Sequence, residues 1–436
     1  MQPAATKHWP TFTAGDSISS ASSFSNQHRT MALVAALFRF GYPSCKPNAP
    51  AGGAGARLQR AERLWPRTDA GESREKKGVV DEEEEWRSYL APERLEVPRQ
   101  LEPWLEEHVL PLLKPVEASW QPSVLLPDPA ADLGSDGFHA ACLELRSGAA
   151  GVPDELLVCL VANMVTEEAV PTYPIVLNRL EVVRDATDVD GTRGWSAEEN
   201  RHGDVLNRYM HLSGRFDMRE VERTVQRLIR EGMVMHAPAS PFHGFVYVAF
   251  QERATAIAHG NMALLVGARG AGDAALAQIC GTVAADEKRP EVAYTRIMRK
   301  LFEADPDTAV RAMAYMMRRR IDMPAFINDG RHSGGHFYAR FIAIAEKAGT
   351  YTLSDYRSIL EHLIRQWGVE ELTWDSLAMG GAQDYLGALP PKILRMEEKT
   401  HDRAVKAKNR PTLIPISWIF DRPVSVVLPK CYSYVL

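Results

Sequence analysis

The chain has 436 residues, 45% hydrophobic and 25% charged, so it can bury a sizeable core as one large domain or two ordinary ones. Its formal net charge of −5 is mild, so nothing in the overall charge points to nucleic acid or to an anionic membrane as a partner. No apolar run approaches the ~20 residues of a transmembrane helix, which predicts a soluble protein. The five cysteines are widely spaced, and this argues against a disulfide framework, a zinc ribbon and an internal iron–sulfur centre.

The N-terminal segment differs in composition from the rest of the chain. Residues 1–77 are rich in Ser, Ala, Gly and Pro, and Asp16 is the only acidic residue before Arg60. An acid-poor segment with scattered arginines is typical of an organelle transit peptide, and a disordered tail is the alternative. Residues 78–97, which include the acidic run 80–86, are expected to be a solvated linker.

Helical patterns dominate the next segment, residues 98–422. Apolar side chains recur at i, i+3 and i+4, as in Leu101, Trp104 and Leu105, and such patterns continue to about residue 400. The β-branched residues and prolines of Thr412 to Val427 predict a short hairpin. The sequence therefore predicts an all-α fold with a short C-terminal β-hairpin, followed by an extension at 423–436.

Four helical segments each place a carboxylate among apolar residues, namely Glu167, Glu199, Glu252 and Glu287. Glu199 and His202 form a Glu-x-x-His pair, and residues at i and i+3 project from one helix face. A carboxylate and a neutral imidazole suit iron or manganese. Alone the pair is a weak signal, because on the order of one chance match is expected and most helical Glu residues lie on a solvated face. The chain order of Glu, Glu-x-x-His, Glu and Glu-x-x-X fits the ligand set of ferritin-like di-iron bundles.

Several stretches resemble the plant-type soluble (plastid) stearoyl-/acyl-[acyl-carrier-protein] desaturase family. They are residues 114–117, 120–122, 166–173, 197–204, 250–255, 278–282, 285–289 and 417–422. The resemblance extends from about residue 98 to 422. It implies a ferritin-like four-helix di-iron bundle within a larger helical domain, in a subunit that is usually a homodimer.

The resemblance also implies a function and a set of metal ligands. Members of the family introduce a cis double bond into an acyl chain on acyl carrier protein, of the stearoyl to oleoyl type. They use O2, two Fe(2+) per subunit and electrons from ferredoxin, in the chloroplast stroma. The implied ligands in this chain are Glu167, Glu199, His202, Glu252 and Glu287.

Further roles come from the same resemblance. Thr166 and Thr255 flank ligands and are expected to donate hydrogen bonds to bound oxygen species. Trp120 and Asp286 match an outer layer around the metals or an electron route, although ordinary packing or capping stays open for both. The acyl tunnel is expected to be lined by Val176, Arg179, Gly244 and Phe245.

The sequence departs from the family at Pro290, where the second Glu-x-x-His pair should end in histidine. Proline cannot bind a metal, and inside a helix it costs about 3 kcal/mol. We therefore expect a strained helix around Glu287 and a weakly bound second iron. His259 is expected to be a poor substitute, because it lies about 10 Å beyond Glu252 along its helix. Pro174 and a short link between Arg184 and Trp195 are further departures.

Three functional hypotheses follow. The first is an acyl-ACP desaturase, the second is an impaired paralogue that binds acyl-ACP or pairs with an active subunit, and the third is a ferritin-like iron or O2 handler. Acyl carrier protein and ferredoxin are both acidic, so basic surfaces are candidate docking sites, with a solvated helix face as the alternative. The candidates are Arg318, Arg319 and Arg320, and separately Arg403, Lys406, Lys408 and Arg410.

Overall fold

The computed structural model describes most of the chain beyond the N-terminal segment. The described residues are 82–131, 134–169, 172, 190–231, 237–267, 270–322, 327, 330, 334–373, 376–406 and 412–426. The predicted transit segment at residues 1–77 lies outside them, so its nature and boundary stay predictions.

Within these residues the chain forms fifteen α-helices and one two-stranded antiparallel sheet. In chain order they are α1 (Glu82–Tyr89), α2 (Pro92–Gln100), α3 (Glu102–His108), α4 (Pro122–Leu125), α5 (Gly134–Ala149), α6 (Asp154–Glu168), α7 (Asp190–Ser213), α8 (Met218–Glu231), α9 (Pro241–Val266), α10 (Ala274–Asp286), α11 (Lys288–Ala304), α12 (Pro306–Arg319), α13 (Gly334–Ala348), α14 (Leu353–Gln366), α15 (Leu377–Lys406), β1 (Thr412–Ile416) and β2 (Arg422–Val426). The predicted all-α fold with a short C-terminal hairpin is confirmed.

Two central helices, α6 and α9, form the middle of the molecule. Residues 156–162 of α6 and 241–252 of α9 are buried on every side of their helices, and a helix that is apolar all round is a core helix. α6 packs against α7 and α9, and α9 packs against α10 and α11. This packing directs the carboxylates of four helical segments toward one another.

The length and hydropathy of the helices show whether any of them could cross a membrane. In the part of the chain that the structure describes, no single helix is long and apolar enough to cross a membrane. The pair α5 and α6, bent by 117° between them, reaches the required length and composition only when the two are taken together.

The structure corrects the expectation of a solvated linker at 78–97. Its described part is helical, in α1 and most of α2. Tyr89 is fully buried in the core, and Trp86 Nε1 donates a hydrogen bond to the Tyr315 hydroxyl at 3.1 Å. Trp86 and Tyr89, at i and i+3, lie on one face of α1 and anchor the helix to the core. The acidic run in the sequence did not predict that this segment packs on the core.

The C-terminal hairpin covers the bundle. Thr412 pairs with Val426 and Ile416 with Arg422, so residues 423–426 belong to the sheet and not to an extension beyond the domain. Ile414 and Ile416 on β1 are buried, as are Val424 and Val426 on β2. The alternation is the pattern of a sheet with one face on the core.

The tip of the hairpin inserts Trp418, which is fully buried, into the bundle. Its Nε1 donates to Thr224 Oγ1 at 2.8 Å, and its ring meets Phe337 edge-on at 5.2 Å. We expect Trp418→Ala to lower the free energy of unfolding by about 3–5 kcal/mol, because it leaves a large cavity in the core. Chemical denaturation would measure this loss. Leu413→Ala on the same hairpin is the control: that side chain is 62% exposed, so we expect a change within about 0.5 kcal/mol.

Candidate metal centre

Four predicted ligands meet in one buried cluster. Glu167 lies near the end of α6, Glu199 and His202 lie on α7, and Glu287 joins α10 to α11. One donor atom from each side chain lies within 4.8 Å of all the others. Gly203 allows this approach, since a Cβ there would lie 3.3 Å from the Glu167 carbonyl carbon. The Glu-x-x-His pair on α7 therefore faces the acid of α6 directly.

His202 lies at the centre of the cluster. Its Nδ1 is 3.1 Å from Glu287 Oε1, 3.4 Å from Glu199 Oε2 and 3.9 Å from Glu167 Oε2. Its Nε2 faces away, toward Asp286 Oδ2 at 3.6 Å. One ring nitrogen thus points to the carboxylates and the other to an outer acid, which is the arrangement of a metal-binding imidazole.

The fifth predicted ligand, Glu252, lies beside this group on α9. It is buried, and burial together with the charges of Glu199 and Glu287 raises its pKa well above the usual range. Burial and the charge of Glu287 likewise raise the pKa of Glu167. Burial raises the pKa of Glu287, but the hydrogen bond and charge of His202, with smaller effects of Glu252 and His259, together lower it below the usual value. The cluster is thus a set of mutually repelling acids from which water is excluded.

The cluster has the properties of a cation site. Among the described residues, His202 Nδ1, Glu199 Oε1 and both carboxylate oxygens of Glu287 are buried without a hydrogen bond of good geometry. Buried polar atoms are rarely left unpaired unless something else binds them. Carboxylate oxygens with an imidazole nitrogen are the donor set of iron and manganese sites. The residues therefore fit a divalent transition metal.

Comparison with known proteins places the chain in a family. The sequence profile of the family described as fatty acid desaturase matches residues 93–420. The chain belongs to this family. It is 67% identical over 357 residues to acyl-[acyl-carrier-protein] desaturase 6, chloroplastic, of Oryza sativa subsp. japonica, covering 80% of this chain and 84% of that protein. It is 51% identical over 344 residues to stearoyl-[acyl-carrier-protein] 9-desaturase, chloroplastic, of Ricinus communis, covering 77% and 84%.

Trp120 and Asp286 of this desaturase lie beside His202. Trp120 Nε1 donates to Asp286 Oδ2 at 2.6 Å, and the Trp120 ring lies parallel to the His202 ring at 6.2 Å. Arg289 Nη1 donates to Asp286 Oδ1 at 2.9 Å. Asp286 therefore lies between the outer nitrogen of His202, 3.6 Å away, and the Trp120 side chain that donates to it. An electron route through these residues stays a prediction.

The two threonines next to the ligands bond to their own helices. Thr166 Oγ1 donates to the carbonyl of Ala162 at 2.9 Å, and Thr255 Oγ1 donates to that of Glu252 at 2.9 Å. Such bonds to the preceding turn are a common resting state for helical threonine. Donation to an oxygen species would require each hydroxyl to rotate, so this role remains a prediction.

The contact between His259 and Glu167 was not predicted from the sequence. Its Nε2 lies 3.0 Å from Glu167 Oε1, and the side chain is 1% exposed. The expected 10 Å offset was measured along α9 from Glu252, whereas the contact is with an acid on α6, which packs against α9. Spacing on one helix cannot show a contact between two. The structure thus places His259 against a predicted ligand of the cluster, as a partner of Glu167.

The helix around Pro290 differs from the expectation of a strained interior proline. α10 ends at Asp286, and α11 begins at Lys288, so Pro290 is the third residue of α11. Amides of the first turn lack partners within their own helix, and proline is tolerated there. Glu287 lies between the two helices with φ −58° and ψ −20°, and Pro290 in the first turn of α11 causes less strain than an interior proline would. Pro290 still provides no imidazole to bind a metal.

Two of the four predicted tunnel residues can be placed. Gly244 and Phe245 are buried on α9, and the Phe245 ring lies 6.3 Å from that of Tyr294. Val176 and Arg179 lie outside the described residues, as does Pro174. The tunnel therefore stays a prediction.

The imidazole ring of His243, next to Gly244, allows a test of how the stability of the fold depends on pH. His243 is fully buried between Tyr89 and Tyr315, and neither ring nitrogen has a partner among the described residues. Burial and the charge of Arg311 lower its pKa to about 3. The folded protein therefore binds fewer protons at this ring than the unfolded chain, and stability falls as pH falls from about 6.5 toward 3.

We expect His243→Phe to abolish that part of the pH dependence. The variant should gain roughly 2 kcal/mol on the wild type at pH 5, because phenylalanine adds no proton uptake on unfolding. Urea denaturation between pH 5 and 8 would measure the difference. His108→Phe, at a side chain that is 42% exposed, is the control for exchanging a histidine for phenylalanine outside the core. An equal gain at pH 5 and pH 8 would contradict the titration of His243.

The candidate basic surfaces are only partly described. Arg318 and Arg319 are exposed, with their guanidinium groups over the rings of Tyr385 at 4.8 Å and Tyr315 at 5.5 Å. Arg320 is half-buried. The second patch, Arg403, Lys406, Lys408 and Arg410, lies outside the described side chains. Neither surface is assigned to a partner.

Proposed function

We propose that the protein is an acyl-[acyl-carrier-protein] desaturase that introduces a cis double bond into a saturated acyl chain held on acyl carrier protein. The observation that carries the proposal is the buried cluster of three carboxylates and one imidazole, with donor atoms within 4.8 Å, in a chain of the fatty acid desaturase family. The names of the relatives support the substrate.

Two Fe(2+) per subunit are part of the proposal. Glu167, Glu199, His202, Glu252 and Glu287 would hold them, and the second iron would bind more weakly because Pro290 offers no ligand. When bound, iron supplies the oxidising power that removes hydrogen from an unactivated CH2 group. O2 and electrons from ferredoxin complete the reaction.

The chain's own residues orient and shield this centre. Asp286 faces the outer nitrogen of His202 at 3.6 Å, and Trp120 orients Asp286 by a hydrogen bond. His259 holds Glu167 from the side of α9. The five ligand side chains are each at most 7% exposed, so bulk water is kept from the reacting carbon. Buried Phe245 on α9 would form part of the acyl slot.

The cellular setting is also proposed. Relatives named chloroplastic support a plastid location, and the stroma, where ferredoxin would act as the electron donor, is our inference. The protein would act as a homodimer. Exposed Arg318 and Arg319 offer positive charge to an acidic partner.

The impaired paralogue is the second candidate, favoured only by Pro290. Two observations oppose it. All five remaining ligands are retained and buried, and the proline lies in a helical turn that accepts it. The ferritin-like iron or O2 handler has no separate observation in its favour.

The test is a desaturation assay on the full chain, loaded anaerobically with Fe(II). Ferredoxin, its reductase, NADPH, O2 and stearoyl-ACP are added, and acyl products are analysed by mass spectrometry. We expect monounsaturated product, with Glu199→Gln as the inactive control. Bound iron and O2 consumption without product would support the O2 handler. No iron uptake and no O2 consumption would support the impaired paralogue.

A further inference from the structure

The contact between His259 and Glu167 joins the two central helices at the metal centre. His259 lies about two turns before the end of α9, and Glu167 lies near the end of α6. The two side chains are 1% and 4% exposed, so bulk water does not compete for the 3.0 Å contact between His259 Nε2 and Glu167 Oε1. Hydrogen bonds to an ionised group are among the stronger ones in proteins. This contact is therefore able to orient one of the metal ligands.

The chemistry of the two groups sets the direction of the hydrogen bond. A carboxylate that binds a metal has lost its proton and can only accept. The other ring nitrogen of His259, Nδ1, is buried without a hydrogen-bond partner among the described residues. A proton on Nδ1 would leave a buried N–H unpaired, which is costly. The neutral ring with its proton on Nε2 avoids this cost, and it donates to Glu167 Oε1.

The same nitrogen argues against His259 as a replacement for the imidazole that Pro290 does not provide. An imidazole that binds a metal through one nitrogen carries its proton on the other, and that N–H almost always donates to a carboxylate, a carbonyl or water. His202 follows this pattern, with Nδ1 toward the carboxylates and Nε2 toward Asp286. His259 Nδ1 has no such acceptor in the part of the chain that the structure describes. His259 therefore suits the role of a donor to a ligand and not that of a ligand.

The two oxygens of Glu167 consequently differ in their surroundings. Oε1 contacts His259, whereas Oε2 lies 3.9 Å from His202 Nδ1. Metal bonds of about 2.1 Å to each of two donors span up to about 4.2 Å, so one ion can bind both Oε2 and this ring nitrogen. We propose that His259 is a positioning residue that, by donating to Oε1, keeps Oε2 of Glu167 directed at the metal ion shared with His202. The inference rests on the proposed metal centre and adds a residue that controls one of its ligands.

The test is a titration of the metal-free full chain with Co(II) at constant pH, followed by metal analysis and by the absorption bands of bound cobalt. We expect His259→Leu to bind the tighter Co(II) about 10–100-fold more weakly than the wild type, the usual cost of losing the partner of a metal ligand. The bands should also change in position and intensity, because the Glu167 carboxylate is then free to turn. Leucine keeps the site filled, so a role in packing alone would leave the affinity and the bands unchanged.

Two amide variants test the hydrogen bond itself. His259→Gln places an N–H donor at nearly the reach of Nε2, and we expect the affinity and the bands to return close to those of the wild type. His259→Asn carries the same amide on a side chain one methylene shorter, at the reach of Nδ1, and should bind as weakly as His259→Leu. His243→Phe removes another buried histidine of α9, about 24 Å away along the helix, and is the control that should bind Co(II) as the wild type does. Urea denaturation of each metal-free variant verifies that it is folded.

The outcomes separate this inference from the proposed function. Wild-type affinity in His259→Leu would overturn the positioning role. Equal binding by the glutamine and asparagine variants would also overturn it, since donation at the position of Nε2 would then have no effect. Both results would leave the proposed function intact. No Co(II) binding by the wild type would contradict the metal centre, and with it the proposed function and this inference together.

Discussion

Replacing Pro290 by histidine is expected to raise the affinity for the second metal ion by at least about 10-fold and to raise the rate of desaturation with it. The new imidazole would project from the helix face that carries Glu287, three residues earlier. Metal analysis after gel filtration, together with turnover of stearoyl-ACP, would measure both effects.

Pro290→Ala is the matched control for this change. Alanine restores the backbone N–H and relaxes the first turn of α11, but it provides no ligand. We expect its metal content and turnover to stay near those of the wild type. If alanine raised them as much as histidine does, the helix and not the missing ligand would limit the enzyme.

Glu252→Gln is expected to lower turnover by at least about 100-fold while raising the stability of the metal-free protein. The loss follows from removal of a metal ligand, which exceeds the 10–100-fold cost of losing an outer partner. The gain follows from removal of a buried acid that Glu199 and Glu287 repel. Melting curves with EDTA would measure the stability, and product analysis the turnover.

The sign of the pH effect tests the same explanation. Because the folded-state pKa of Glu252 is raised, the wild-type folded protein holds a proton there that the unfolded chain releases, and its stability falls as pH rises above about 4.5. Glutamine does not titrate, so its advantage should grow from pH 5 to pH 8. An advantage that shrank with rising pH would contradict a raised pKa.

Glu291→Gln is the control for a buried acid outside the cluster. Glu291 is 5% exposed and pairs with Arg253. Its replacement leaves a cation without its partner, and we expect a loss of roughly 1–3 kcal/mol. The two Glu→Gln variants should therefore change stability in opposite directions.

The sequence was sufficient for the helical fold and for the cluster of Glu167, Glu199, His202 and Glu287. Each of these acids lies among apolar residues at helical spacing, and a charged group there must find a partner inside the protein. The hairpin was also predictable, because its β-branched residues recur at alternate positions and so form one buried face.

The remaining features depend on contacts between distant segments. His259 reaches Glu167 across two packed helices, which spacing along α9 cannot show. Pro290 causes less strain than expected, because the chain breaks at Glu287 and turns an interior position into a first-turn position. Tyr89 docks α1 on the core in a segment whose composition is otherwise that of a linker. In each case tertiary packing decided the outcome.

The place of Pro290 in the first turn of α11 has a consequence for measuring this protein in tissue. A proline that costs the fold little lets the chain escape the degradation that removes unfolded proteins. Its steady-state abundance is then governed by folding, whereas under the proposed function its output would be governed by metal occupancy. The intensity of an immunoblot would therefore not report how much unsaturated lipid the protein makes, and metal content per chain is the quantity to compare between samples.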